Sequence, residues 1–588
     1  MITLRPVHAF LSALALSGLC STVQGQPAPL EQAPPLIRVT GDDGLYNELL
    51  NAAESVELET EAAQEFPVAV DAGWWQPLVP RSLRHDAPDV SISLEQTLYD
   101  AMAYSEQVKV FHQLPPIRHS AVIEADAAFD WHAFVDTQWD DLSDPIGNSL
   151  TVGPGINRFQ DHNLYGSAGV RKRTRTGGQF EVSQRLGWQE TNSQFFVPNS
   201  QGTSRIALSF TQPLLRGSGE WYNNSLICLA QIDHEVSQDE VMRQLQKHLL
   251  EVSRAYWALY LERGVLLQKL RTYQRAKLIV DRLRLRQQID APKSQIQAAE
   301  ASLADRRSDL ARAKTAVENA EDRLRTLVNH PGYGDNQSIE LVPVDSPSFD
   351  IFPADMQTSL TEALQNRPEI SQAIQQTRAA SIRMGMAKEE MLPVLNLVTS
   401  SYIAGLAANG DVAKSWGNQF SQGRPGYSIG LQFEVPISNR AARARHDRRQ
   451  FELQQLQHQY QVTMKTVSLE VQVAVREIET SMRELFSKQQ VVNARDSQLE
   501  QLVKRWERLP NGDTTTNLIL DNILRAQEDL GRAEFEYLQA QITYNLAQVN
   551  LKQATGTLLQ YQSVNTGLST APVVANEPEI QSLSAQAP

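Results

Sequence analysis

Residues 427–440 read YSIGLQFEVPISNR, and at this stretch the chain changes from one period to another. Ile429, Leu431, Phe433 and Val435 alternate with Gly430, Gln432 and Glu434, the period-two pattern of a strand with one apolar and one polar face. Such a strand suits a barrel wall with lipid outside and water inside, and it suits equally a half-buried sheet in a water-soluble domain. Pro436 ends the alternation. From Ala441 to Leu509 neither proline nor glycine interrupts the chain, and Met464, Val467, Val471, Ala474, Ile478, Met482 and Leu485 fall at helical spacing. About 70 residues at ~1.5 Å each predict a helix on the order of 100 Å long. Pro510-Asn511-Gly512-Asp513 then turns the chain into a long returning helix.

The same order occurs earlier in the sequence. Ser93-Leu94-Glu95-Gln96-Thr97-Leu98 resembles Ser359-Leu360-Thr361-Glu362-Ala363-Leu364, and Phe210-Thr-Gln-Pro213-Leu214 resembles Phe433-Glu-Val-Pro436-Ile437. Leu324-Arg-Thr-Leu327-Val-Asn329 likewise resembles Leu551-Lys-Gln-Ala554-Thr-Gly556. Pro213 lies 111 residues before Leu324 (324 − 213), and Pro436 lies 115 before Leu551 (551 − 436). The chain is therefore two copies of one unit. The first spans 91–330, the second 358–559, and a proline-rich linker over 331–357 joins them. Before the marker proline the first copy is longer, 119 residues from Leu94 against 76 from Leu360, so it carries an insertion of 43 (119 − 76). The sequence predicts strands near 129–212 and 393–437, with a further hairpin at Tyr165–Arg175 and Gln179–Trp188 around Thr176-Gly177-Gly178. Asp290-Ala291-Pro292-Lys293 turns the first long helix as Leu509–Asp513 turns the second.

Composition narrows the function classes. The 588 residues hold 54 Lys and Arg against 68 Asp and Glu, a net charge of −14, which argues against a general nucleic-acid binder. Two cysteines, Cys20 and Cys228, allow neither a disulfide scaffold nor a cysteine-rich zinc site. Residues 1–25 read as a signal peptide, with Arg5 before the apolar run Ala9–Cys20 and a small-residue cleavage point after Gly25. Acylation of Cys20 fits less well, because Leu19 is large where a small residue is wanted. An acidic, largely irregular extension follows over 26–90, and 560–588 reads as a disordered tail. No run of 18 apolar residues follows the signal peptide. There is no Walker loop, no G-x-G-x-x-G after a strand and no G-x-S-x-G, and the histidines are scattered. No enzyme, metal or cofactor is expected.

The junctions FTQPLLRG (210–217) and VPISNR (435–440), Asn366-Arg367-Pro368-Glu369-Ile370, Leu392-Pro393 before a strand, and Leu551–Gly556 together resemble the TolC family of outer-membrane efflux proteins. The resemblance covers residues 91 to 560. It implies an α+β fold: two tandem repeats of long antiparallel helices and β-strand pairs, assembled as a homotrimer. Each chain is expected to give four strands to a 12-stranded outer-membrane β-barrel, continued through the periplasm by an α-helical barrel. The extra hairpin near 165–188 departs from that count, as an extracellular flap or as a misread strand pair. The resemblance further implies a gate at the periplasmic end, where Asp521, nine residues after the turn glycine Gly512, matches one ring-forming aspartate. Leu518 stands at the other expected position, with Asn517 beside it. Asp521 reads equally as a helix-start aspartate balancing the dipole. The implied adaptor-docking tips are Asp290, Ala291, Pro292 and Lys293, and Leu509, Pro510, Asn511, Gly512 and Asp513. Arg440, Arg443, Arg445, Arg448 and Arg449 fit contacts to lipid phosphates or a solvated face.

The function expected is an exit duct of a tripartite efflux system. Its partners are outer-membrane lipid, a periplasmic adaptor (membrane fusion) protein and an inner-membrane transporter. The exit channel of a type I protein secretion system reads the same way. A coiled-coil scaffold without a pore is the contrasting class, and it gives no reason for alternating strands ahead of each long helix.

Overall fold

Proline, glycine and capping residues divide the chain where its period changes. A computed structural model describes residues 73–84, 88–146, 150–285, 293–333, 339–508 and 514–559; the signal peptide, most of the acidic extension and the C-terminal tail lie outside them. Strand β1 (Asp89–Ile92) leads to helix α1 (Leu94–Tyr104), whose N-terminus is capped by Ser93 accepting from the Gln96 backbone N–H at 3.2 Å. Helices α2 (Glu106–His112) and α3 (Leu114–Asp126) follow. Four strands come next: β2 (Trp131–Pro145), β3 (Arg158–Arg173), β4 (Gln179–Thr191) and β5 (Ser200–Pro213). Helix α4 (Glu220–Leu285) and the returning α5 (Lys293–Val328) end the first repeat.

The second repeat begins after β6 (Glu340–Pro343), which pairs in parallel with β1. Helix α6 (Met356–Asn366) meets α7 (Pro368–Glu389) at Pro368, which ends one helix and opens the next at its first turn. Strand β7 (Val394–Ala408), the short helix α8 (Val412–Ser421) and strand β8 (Gly426–Glu434) follow. Helices α9 (Arg440–Arg508) and α10 (Thr514–Ala554) close the repeat. At ~1.5 Å per residue α4 and α9 are each about 100 Å long. The expected stripe of α9 is buried throughout, from Met464 to Leu485, and from Val467 on it packs in one large core with α4, α5 and α10. A second core, with Ile279, Val280, Leu283, Ile296, Trp506, Ile519 and Ile523, joins the two helix pairs near their far ends.

The repeat alignment has a conformational meaning at the returning helices. Asn329 follows α5 with φ 56° and Gly556 follows α10 with φ 74°, so the aligned positions are both left-handed residues at helix C-termini. A Cβ on Gly556 would lie 2.8 Å from the Asn366 carbonyl oxygen, which is why this copy needs glycine.

One sheet holds β2-β3-β4-β5-β7-β8, every neighbouring pair antiparallel. The chain thus contributes six strands where four were expected. The hairpin read near 165–188 is neither a flap nor an error: it is β3 and β4, hydrogen-bonded along their length between β2 and β5. An inserted hairpin adds one strand in each direction, so β5 still runs toward α4 as β8 runs toward α9.

The described end of the acidic extension, turns without helix or strand over 73–84, packs into the fold. Trp75 and Val79 are fully buried in the main core, and Trp74 donates from Nε1 to the Glu534 carboxylate at 2.9 Å.

Candidate functional site

Residues directly opposite in an antiparallel sheet share a face, so the register sorts every strand. One face carries Ala133, Val170, Val182 and Leu208 in a row, continued by Ser401 and Tyr427. The next row on that face reads Trp131, Lys172, Phe180, Phe210, Thr399 and Ile429. Eight residues higher stands the row Trp139, Leu164, Trp188, with Trp139 and Trp188 stacked at 6.0 Å and Trp131 edge-on to Phe180 at 5.9 Å. The opposite face has the row His132, Arg171, Glu181, Ser209, Ser400 and Ser428, polar on all six strands. Higher on it Arg185 lies over the Tyr165 ring and Arg205 over the Tyr402 ring.

Two aromatic rows eight residues apart are separated by ~27 Å along a strand, or about 20 Å of height at a tilt of ~40°. On this face Val135, Leu164, Ile429 and Leu431 are exposed to a degree that water does not favour, Val135 at 75% and Ile429 at 73%. The sheet therefore has an apolar face banded by aromatics and a polar, charged face, on the inserted strands as on the others.

The junction motifs hold this sheet to the helices. The Leu214 backbone N–H donates to the Leu395 carbonyl at 2.7 Å and Arg216 N–H to Pro393 at 3.2 Å. Asn439, at φ 41°, donates from Nδ2 to the Met391 carbonyl at 2.9 Å. Arg367 is buried at the α6–α7 junction, where it pairs with Glu470 of α9 and donates to the Gln553 carbonyl of α10 at 3.2 Å.

At the far end of the helices Asp521 stands on α10, half exposed, with Arg525 one turn on at 2.9 Å. An exposed pair of this kind adds little stability. Of the docking tips, Lys293 begins α5 and is exposed; Asp290, Ala291, Pro292 and Leu509 to Asp513 lie outside the described residues. Arg445 pairs with Glu390 at 3.3 Å, and Arg448 and Arg449 pair with Glu452 at 3.6 and 2.6 Å. Arg440 and Arg443 are exposed just below the sheet. Between α4, α5 and α10 a cleft of about 460 Å³ is lined by Lys269, Asp305, Arg306, Gln527 and Phe535. Arg306 spans it to Gln527 Oε1 at 2.7 Å.

Sequence reading missed α8 and the network around Arg263. Asp411 caps α8 by accepting from the Lys414 N–H at 2.9 Å, and Trp416 meets Phe420 one turn on; the Gly, Asn and Ser around them read as loop. Arg263 gave no signal because its partners, Glu340 and the carbonyls of Val79 and Arg81, are far away in sequence.

Residues 359–557 match the family described as outer membrane efflux protein. The match covers the second repeat and about a third of the chain. Over most of the chain the fold is similar to that of solved outer-membrane channels. The VceC outer membrane protein of Vibrio cholerae superposes with a TM-score of 0.56 at 15% identity, over 79% of this chain and 96% of that one. The CmeC outer membrane channel of Campylobacter jejuni gives 0.58 at 15% identity, over 86% and 92%. The open state of the MtrE channel of Neisseria gonorrhoeae gives 0.56 at 16% identity, over 79% and 89%. No curated protein matches the chain in sequence. The efflux-protein match lies entirely within the repeat that lacks the inserted hairpin.

Proposed function

We propose that this chain is the outer-membrane exit duct of an efflux assembly. One observation carries the reading: a six-stranded sheet has an apolar, aromatic-banded face and a polar face, and helices of about 100 Å run from one end of it. Such a sheet has two open edges, β2 and β8, and inside a membrane open edges must be paired. Three copies close the wall edge to edge, with β8 of one against β2 of the next. The wall then holds eighteen strands in place of the twelve expected from four per chain. At ~4.8 Å per strand and ~40° tilt the barrel diameter is about 36 Å, against about 24 Å for twelve.

The polar face lines the bore and the apolar face meets lipid. The helices extend into the periplasm, where an adaptor seats on the hairpin tips and an inner-membrane transporter supplies the energy. Asp521 narrows the closed end, and three such carboxylates attract cations and repel one another. Cargo passes by diffusion once the helix pairs part. A coiled-coil scaffold leaves the two-faced sheet without a purpose.

Planar-bilayer recording of the purified protein, wild type against Asp521→Ala, tests the reading. Small cation-selective openings that widen or lose selectivity in the variant support duct and gate together. Openings unchanged by the substitution keep the duct and remove Asp521 from its gate. Folded protein that neither inserts nor conducts overturns the proposal.

A further inference from the structure

Helix α8 is amphipathic in the reverse sense to that expected of a helix facing water. Ser415 and Gln419 are completely buried, while Trp416 and Phe420 are 51% and 54% exposed and meet edge-on at 5.4 Å. The helix packs on the apolar face of the sheet, not on the polar one. Its contacts there are to residues that interrupt the apolar band. Ser204 donates to the Ser415 carbonyl at 2.7 Å. Gln184 and Gln419 exchange side-chain amide hydrogen bonds at 3.4 and 3.3 Å. Gly202 and Gly405 let the backbone approach: a Cβ on Gly405 would stand 2.1 Å from the Ser415 carbonyl oxygen, and one on Gly202 2.5 Å from Asp411.

The register sets the height of the helix. Gly202 is level with Trp188 of the upper aromatic row, and Gln184 is four residues lower. The helix thus descends from the outer aromatic row to the middle of the band. At Gly423, close to the Ala404 carbonyl, the chain reaches β7 before starting β8.

We propose that α8 is a lipid-immersed helix seated on the outside of the barrel, its Ala413–Trp416–Phe420 side bound to acyl chains of the outer leaflet. The proposal rests on the duct reading, which puts the apolar face in the membrane. Its physical logic is that of a satisfied polar seam. Gln184 and Ser204 on a bare barrel wall are polar groups facing hydrocarbon, where Ser204 loses the Ser415 carbonyl and Gln184 keeps only the Arg185 carbonyl at 3.1 Å. The helix gives both a partner, shields them with its own polar side, and restores an aromatic surface outside. Trp416 and Phe420 then face a solvent that favours them.

Spin labels on full-length protein in lipid vesicles test this, with Cys20→Ser and Cys228→Ser as background. Labels are placed at Phe420→Cys and Ala413→Cys on α8, at Ile429→Cys on the apolar face of β8, and at Ser428→Cys on its polar face. Relaxation by oxygen, which concentrates in lipid, is compared with relaxation by a water-soluble nickel chelate. The expected result is that labels at 420 and 413 follow 429, favouring oxygen, while 428 favours nickel. If 429 favours oxygen but both 420 and 413 favour nickel, the helix faces water and the proposal falls while the barrel stands. If 429 also favours nickel, the apolar face is not in the membrane, and both readings fall.

Discussion

Replacing Arg263 by methionine is expected to destabilise the protein more than any surface substitution, because this guanidinium joins three parts of the chain. It is fully buried on α4 and donates to Glu340 Oε1 of β6 at 2.6 Å. It also donates to the carbonyls of Val79 and Arg81 at 3.2 and 2.7 Å. Glu340, 1% exposed, accepts in turn from Ser82 Oγ at 2.8 Å and from the Leu83 and Arg84 backbone N–H groups at 3.0 Å. Burial alone would raise the Glu340 carboxyl, but the Leu83 N–H, Arg263 and Ser82 outweigh it and hold the group below its ordinary value. Arg263→Met leaves a carboxylate buried without its countercharge and strips donors from two carbonyls. Breaking one side of a buried pair costs about 3–5 kcal/mol. The double variant Arg263→Met/Glu340→Gln removes the stranded charge, so the two changes are expected to couple by about 1–3 kcal/mol. The assay is the order of apparent Tm for wild type, both single variants and the double variant, in one detergent at one heating rate. A lowered carboxyl also stabilises only while ionised. That contribution is complete above about pH 4.3 and is lost as pH falls through the folded value, so Arg263→Met should weaken this acid dependence. Additive single-variant effects, or a loss in Arg263→Met no larger than that of a surface change, would refute the argument.

His248 is buried on α4, and burial holds its imidazole below the ordinary value despite the opposing pull of Glu251. Its neutral form is favoured in the fold, so stability is complete above about pH 6.5 and declines as pH falls toward the folded value; His248→Gln should flatten that part of a Tm-against-pH curve. Gly556→Ala forces a side chain into a left-handed conformation against the Asn366 carbonyl and should cost about 1–2 kcal/mol. Asn329→Gly, at the aligned position, should change Tm far less. Cysteines paired across the proposed seam, one at Val135 of β2 and one scanned along Tyr427, Ile429 and Leu431 of β8, should give covalent trimers on oxidation. Cross-links from β8 to β4 of another copy would instead show a wall of four strands per chain.

Much of this molecule is written locally. The unbroken run after Ala441 specifies α9 because nothing in it stops a helix and its apolar residues return every three or four positions. Ile429 to Val435 specify β8 by strict alternation, and the aligned Asn329 and Gly556 mark the same helix end twice. Even the inserted hairpin is legible, from alternation on both sides of Thr176-Gly177-Gly178. Where those strands go is not. Alternation gives a strand two faces but names no neighbour, so only the pairing of β3 with β2 and of β4 with β5 makes six strands of one sheet. The same limit hid α8: Gln184, Ser204 and Gly405 lie far apart in sequence and become one seat only when β4, β5 and β7 stand side by side. Arg263 and Glu340 are ordinary charged residues until folding removes water from both. Sequence by itself determined the repeat, the long helices and the two-faced strands, because those depend on near neighbours along the chain. Tertiary structure alone decided the number of strands in the sheet, the seat of the inverted helix and the buried ion pair, because each is a contact between residues that the chain keeps apart.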